Sequence, residues 1–157
     1  MTKKINIYTD GSSIGNPGPG GYGIIMISDN GAYKKELSKG FKLTTNNRME
    51  LLAVIVALES IKIKKSNVEV FTDSKYVSDA VDKEWVFAWE KINFKKKKNS
   101  DLWKRFLLIY RQHNVIFTWI KGHNNHPENE RCDYLANNSA KSSNLVSDTY
   151  YEKNIKG

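Results

Sequence analysis

Apolar and polar positions change period several times along the chain, and each change marks an element. In "INIYTDGSS", residues 5–13, Ile5, Ile7 and Tyr8 suit a short strand over 3–9, which Asp10, Gly11 and Ser12 stop with turn residues. Residues 20–29 and 33–43 read as the next two strands, joined by the turn signal Asp29-Asn30-Gly31. Over 46–64 the period becomes helical: Leu51, Val54, Ile55, Leu58 and Ile61 form one stripe, with Asn46 as N-cap and Glu50 in the first turns. "VEVFTD", residues 68–73, is a fourth strand that ends on an acid as the first does, and a helix begins over 74–81. Residues 84–100 read as helix followed by a basic loop, 101–112 as an amphipathic helix and 114–122 as a fifth strand. Pro127 then opens a last helix, and the polar chain from Ser142 is expected to fray.

Three strands followed by alternating helices and strands predict one α/β domain, a mixed sheet with helices on its faces. No repeat or linker divides residues 1–141, and 142–157 form a polar C-terminal tail. Ligands of such sheets sit beyond the carboxyl ends of the parallel strands, where Asp10 and Asp73 both fall. Carboxylates brought together repel unless a cation intervenes, and a hard divalent ion suits oxygen ligands. Glu50 projects with Val54, Ala57 and Ile61 on the flank of the apolar stripe. There it serves the helix dipole, pairs with a Lys or Arg inside, or looks over the sheet edge toward Asp10. Asp133 lies early in the last helix beside Cys132, Leu135 and Ala136, and is open to the same dipole reading. Four acids ringing one sheet edge would cage one or two divalent ions, an arrangement suited to phosphodiester hydrolysis.

Composition narrows the partner. The 157 residues, 39% hydrophobic and 27% charged, are enough to bury a core. No apolar run reaches membrane length, no secretory leader opens the chain, and the lone Cys132 fits a reducing compartment. A cytoplasmic protein with no membrane partner is therefore expected. A net charge of +8 favours a polyanion, nucleic acid first. Much of it gathers in "EKINFKKKKNS", residues 90–100, beside Trp85, Trp89, Phe94 and Trp103. A zinc site is not indicated, because there is no helical HExxH and only one cysteine. His123, in a Gly-Asn-Asn loop, suits a mobile proton carrier, whereas His126 before Pro127 suits a structural cap. The Gly-rich "GSSIGNPGPGG" lacks the Lys-Ser/Thr ending of a P-loop.

Four segments then fall into one order: "YTDGSSIGNPGPGGYG", "TTNNRMELLAVIVALE", "FTDSKYV" and "WIKGHNNHPENERCDYLA". Together they resemble ribonuclease H of type 1 in its bacterial form, from about Lys3 to Lys141. The resemblance implies a ribonuclease H-like five-stranded mixed sheet, its first three strands antiparallel, flanked by helices on both faces. It implies hydrolysis of the RNA strand of RNA–DNA hybrids to 5′-phosphate and 3′-hydroxyl ends. It makes Asp10, Glu50, Asp73 and Asp133 ligands of Mg²⁺, one or two ions, with Mn²⁺ as a substitute, and His123 a catalytic aid to proton transfer or product departure.

Substrate contacts carry over in the same way. Gly11, Ser12, Asn16, Asn46 and Asn47 match positions that read the minor groove and RNA 2′-hydroxyls. Thr45 and Asn99 match a pocket for a DNA phosphate, and Tyr76, Trp85 and Trp89 a groove along the DNA strand. Lys95, Lys96, Lys97 and Lys98 resemble a basic protrusion that grips phosphates. A monomer is expected. Leu43, Lys75 and Asn125 depart from the family's usual Arg, Gln and Gly, and "INF" is less basic than the usual segment at the protrusion. Two other readings remain at this stage. A transposase- or resolvase-type nuclease shares the strand-end acids but does not predict "TTNNRME" beside "KGHNNHPENERCD". A hybrid-binding module without catalysis would have no use for clustered acids, which repel a polyanion.

Overall fold

The structure, a computed structural model, describes residues 4–28, 31–122 and 126–154. Strands β1 (Lys4–Ser13), β2 (Gly18–Ser28) and β3 (Tyr33–Thr44) form an antiparallel meander, and β4 (Asn67–Thr72) and β5 (Asn114–Trp119) add in parallel beside β1. The sheet order is β3-β2-β1-β4-β5, the mixed sheet expected from the sequence. Because β1 and β4 run parallel, Asp10 within the end of β1 and Asp73 just past β4 reach the same sheet edge. β1 extends further than its apolar pattern did: it continues through Gly11 to Ser13, paired with Gly20–Tyr22 of β2. The Asp29-Asn30 part of the expected turn lies outside the described residues.

Six helices follow among the described residues: α1 (Asn46–Glu59), α2 (Lys75–Asp82), α3 (Trp85–Lys91), α4 (Ser100–Tyr110), α5 (Pro127–Ala140) and α6 (Thr149–Asn154). α1 packs on the face that carries Ile7 and Ile24, and α4 packs against α1 in turn. Squeezed between sheet and helix, α1 is buried nearly all round: Leu51, Leu52, Ala53, Val54, Ile55, Ala57 and Leu58 are all buried. A single stripe was therefore too narrow an expectation, and the helix stops at Glu59, short of Ile61. Its N-cap is Thr45, not Asn46: Thr45 is extended and its hydroxyl accepts the Arg48 N–H at 3.2 Å. Trp103 and Phe106 of α4, packed edge-on with ring centroids 5.6 Å apart, fill the space beside α1.

α5 covers the opposite face of β1–β3. Its approach depends on glycines at the facing positions of β2, since a Cβ at Gly21 would stand 2.7 Å from the Ala136 carbonyl oxygen and one at Gly23 would collide with that of Cys132. Cys132 is fully buried there and its Sγ donates to the Tyr8 carbonyl at 3.2 Å.

The described chain beyond Ser142, as far as Asn154, is not frayed. The Val146 N–H donates to the Gly40 carbonyl at 3.1 Å and the Lys42 N–H to the Val146 carbonyl at 2.8 Å, a short parallel bridge onto β3. Asp148 is buried and accepts from Thr44 Oγ1, Arg48 Nε and Arg48 Nη2 at 2.7, 2.7 and 2.9 Å. Polar composition misled because the anchor is itself polar: a carboxylate meeting a buried guanidinium. Among the described residues no helix is long and apolar enough to cross a membrane.

Candidate metal centre and nucleic-acid interface

The sheet edge gathers acids from separate elements. Asp10 stands on β1, Glu50 one turn into α1, and Asp73 between β4 and α2. One carboxylate oxygen from each lies within 4.8 Å of the others. Local geometry forces this convergence: the β1 end and the α1 start approach so closely that a Cβ on Gly11 would overlap the Glu50 amide and the Met49 carbonyl carbon. Asp10 is 6% exposed, and its Oδ1 accepts the Gly11 N–H at 3.0 Å. Glu50 Oε1 is shut off from solvent and has no hydrogen-bond partner in the protein.

Such a cluster is electrostatically costly when empty. Burial first, then the charge of Asp73 and the neighbouring Asp133, raises the Asp10 pKa to about 8. Glu50 is likewise raised well above the usual carboxylate range, by burial first and then by Asp10 and Asp73. A divalent cation would relieve both causes at once, and three hard oxygen donors with one orphaned buried atom fit such an ion.

Asp133 stands outside that tight triad but is among the groups that raise the Asp10 pKa. Its orientation comes from Asn137, whose Nδ2 donates to the Asp133 carbonyl and Oδ1 at 3.0 and 3.2 Å; Asn137 Oδ1 accepts from Ser12 Oγ at 3.1 Å. Sequence reasoning missed Asn137, although its i+4 spacing from Asp133 on one helix face was a readable signal. Trp119 was also missed: its indole N–H donates to the Asp73 carbonyl at 3.0 Å, and Lys75 Nζ lies 4.7 Å over its ring. Gly122 is close enough to Asp73 that a Cβ there would stand 2.9 Å from Oδ2. His123, with Asn124 and Asn125, lies outside the described residues.

The polar residues flanking the cluster hold one another. Asn46 Oδ1 accepts the Ser13 N–H at 2.6 Å, and Asn16 Oδ1 accepts the Asn46 N–H at 3.0 Å. The loop after β1 is thereby tied to the start of α1, beside Gly11 and Ser12, while Asn47 stays exposed. Asn99 is fixed from two sides: its Nδ2 donates to Tyr76 Oη at 2.9 Å and its Oδ1 accepts from Arg48 Nη1 at 3.2 Å. Tyr76 Oη also accepts the Trp103 indole N–H at 3.0 Å, and Trp89 packs edge-on to Trp103 at 5.8 Å. Trp85 remains 45% exposed under Lys83 Nζ at 5.2 Å.

Lys95–Lys98 are all exposed, on a turn anchored by the buried Phe94, and Lys97 Nζ lies 5.2 Å over the Trp89 ring. A cavity of about 550 Å³ is lined by Lys97, Lys98 and Asn99 together with Thr45 and Asn47. Arg48, which donates to Asn99, was not singled out in the sequence. It pairs with Asp101 through two hydrogen bonds, at 2.9 and 2.8 Å, as well as with Asp148.

A mixed α/β sheet with buried acids clustered at its parallel edge, beside a lysine-rich aromatic surface, defines a class of cation-binding proteins with a polyanion-facing site. The family model for RNase H matches residues 2–141. A ribonuclease H of Desulforamulus reducens is 52% identical over 151 residues, covering 93% of each chain, and one of Rippkaea orientalis is 50% identical over 155 residues, covering 96% of this chain and 93% of its own. The solved structure of LC9-RNase H1, a type 1 RNase H with the type 2 active-site motif, superposes with a TM-score of 0.81 at 32% identity, over 98% of this chain and 81% of that one. LC11-RNase H1, solved in complex with an RNA/DNA hybrid, gives 0.66 at 29% identity over 87% and 96%. The chain belongs to the RNase H family, in its bacterial type 1 form.

Proposed function

We propose that this chain is an endoribonuclease that hydrolyses the RNA strand of RNA–DNA hybrids, with Asp10, Glu50, Asp73 and Asp133 holding one or two Mg²⁺ ions and Mn²⁺ able to substitute. The observation that carries the reading is the convergence of Asp10, Glu50 and Asp73 within 4.8 Å, with a buried Glu50 oxygen left unpartnered. When bound, the divalent ions supply Lewis-acid stabilisation of the attacking and leaving oxygens. The chain's own residues do the rest. The acids fix donor positions, Asn137 aims Asp133, and Trp119 holds the backbone of Asp73. His123 carries a proton toward the leaving 3′-oxygen or aids product departure, which leaves 5′-phosphate and 3′-hydroxyl ends.

Substrate choice follows from the flanks. Gly11, Ser12, Asn16, Asn46 and Asn47 face the minor groove, where amide and hydroxyl groups can bond a 2′-hydroxyl. Thr45 and Asn99 receive a DNA phosphate, Tyr76, Trp85 and Trp89 lie along deoxyribose, and Lys95–Lys98 neutralise phosphates. The net charge of +8 supports a polyanionic partner. The chain acts as a cytoplasmic monomer in this reading. The test offers labelled RNA–DNA hybrid, duplex RNA and duplex DNA in parallel, with Mg²⁺ or with EDTA. Cutting confined to the RNA of the hybrid and abolished by EDTA is expected; chelator-resistant cutting, or equal cutting of duplex DNA, refutes the assignment.

A further inference from the structure

Residues 142–157 lie beyond the match to the family model, yet the described part of that segment is firmly docked. Asp148 pins it to Arg48 and Thr44, and the Glu152 carboxylate accepts the Asp148 N–H at 2.9 Å, closing the start of α6. Docking brings the rings of Tyr150 and Tyr151 to 5.6 and 5.8 Å from the Arg48 guanidinium. Arg48 itself is spent internally, since it faces two carboxylates, Asp101 and Asp148, and donates to Asn99. It is a pin for the wall above it rather than a cation free to meet a ligand.

That wall belongs to the cavity of about 550 Å³, which Tyr150 and Tyr151 line together with Lys97 and Lys98. Tyr150 is 43% exposed, with its hydroxyl 3.3 Å from Ser100 Oγ. Lysines and phenol rings that line one open cavity suit a nucleic-acid backbone. The cations meet phosphate, the hydroxyls can donate to its oxygens, and the ring faces accept a sugar that lacks a 2′-hydroxyl to desolvate.

We propose that α6 belongs to the substrate-binding surface, with Tyr150 and Tyr151 forming the outer wall that holds a backbone phosphate and the adjoining deoxyribose of the DNA strand. This rests on the hybrid-cleavage reading above. The test uses two variants of the full chain, Tyr150→Ala/Tyr151→Ala and Tyr150→Phe/Tyr151→Phe, the second keeping the rings over Arg48 and removing only the hydroxyls. Each is assayed for KM and kcat on a long hybrid and on one too short to reach from the acid cluster to the cavity, with Tm measured alongside. For the alanine pair, KM on the long hybrid rises roughly three- to tenfold, the scale of one or two lost neutral hydrogen bonds, while kcat stays within about twofold. On the short hybrid nothing changes, and the phenylalanine pair shows a smaller rise of the same kind. Unchanged KM on the long hybrid, or an equal loss on both lengths accompanied by a lower Tm, overturns the proposal. If the alanine pair does not fold, the phenylalanine pair decides: an unaltered KM on the long hybrid overturns it. A wild-type chain inert on both hybrids overturns the cleavage reading and this inference with it, whereas an active wild type with unaltered variants overturns this inference alone.

Discussion

Asp10→Asn separates what the acid cluster costs from what it does. In the metal-free protein Asp10 is held at a pKa of about 8, against 3.8 for an unperturbed carboxyl, chiefly by burial and next by Asp73. Between those values the folded state binds a proton that the unfolded state releases, so stability falls as pH rises through the window. A neutral amide of nearly the same shape escapes that cost. At 1.36 kcal/mol per unit, the interval from the unperturbed value to neutral pH caps the gain at about 4 kcal/mol near pH 7. Glu50 and Asp73 share the repulsion, and Asp73 is half-buried, so the realised gain is about 1–3 kcal/mol, or roughly 3–10 °C in Tm for a chain of this size. The assay is thermal or urea unfolding of wild type and variant in EDTA at several pH values. The variant is expected to be more stable near pH 8, with the advantage shrinking toward about pH 4, where both states are protonated. Added Mg²⁺ should raise the Tm of the wild type and do much less for the variant, which should also lose hybrid cleavage while still binding hybrid. A variant no more stable than wild type in EDTA near pH 8, or one that cleaves at full rate, refutes the metal-cluster reasoning.

Neutralising Lys95–Lys98 should weaken hybrid binding and flatten its salt dependence by roughly 0.7–0.9 log units per lost phosphate contact, read from Kd against salt concentration; an unchanged slope removes these lysines from the interface. Asp148→Ala strips the buried Arg48 of one of its two carboxylates and should cost about 2–4 kcal/mol in urea unfolding, while kcat on a saturating hybrid is largely kept below the Tm. Gly23→Val forces a side chain into the Cys132 carbonyl and should lower Tm sharply or prevent folding, which circular dichroism would show. His123→Ala should lower turnover on the hybrid without abolishing it, as single-turnover rates would reveal; complete inactivity would give the histidine a larger part than proton transfer.

The layout of the fold was readable because its cues are local. Strand-like runs led into Asp10 and Asp73, and the parallel pairing of β1 and β4 puts both acids at one edge, although β1 runs on past its expected stop to Ser13. Glu50 was readable as well, through its awkward place on the flank of an apolar helix. What escaped depends on partners far away in sequence. The all-round burial of α1 needs α4, whose packing no period within residues 46–59 encodes. The docking of the tail needs Arg48 to meet an acid 100 residues on, and a polar segment looks solvated until its counter-charge is known.

Arg48 links these omissions to the site. A guanidinium only 2% exposed inside "NNRME" would be intolerable unless paired, so its presence in a buried stretch was itself a demand for carboxylates. Burial alone would lower its pKa, but Asp101 and Asp148 outweigh that and hold it above the ordinary value, so the charge persists and organises what surrounds it. Through Arg48 the α1 start, Asn99, the α4 start and the C-terminal segment become one rigid body two residues before Glu50. The cluster of acids and the cavity that faces the DNA strand in the proposed reading are thus set by the same turn of helix. The distance between cleavage centre and backbone grip is then fixed by covalent geometry and buried ion pairs rather than by loops, which is what cutting one strand while holding the other demands.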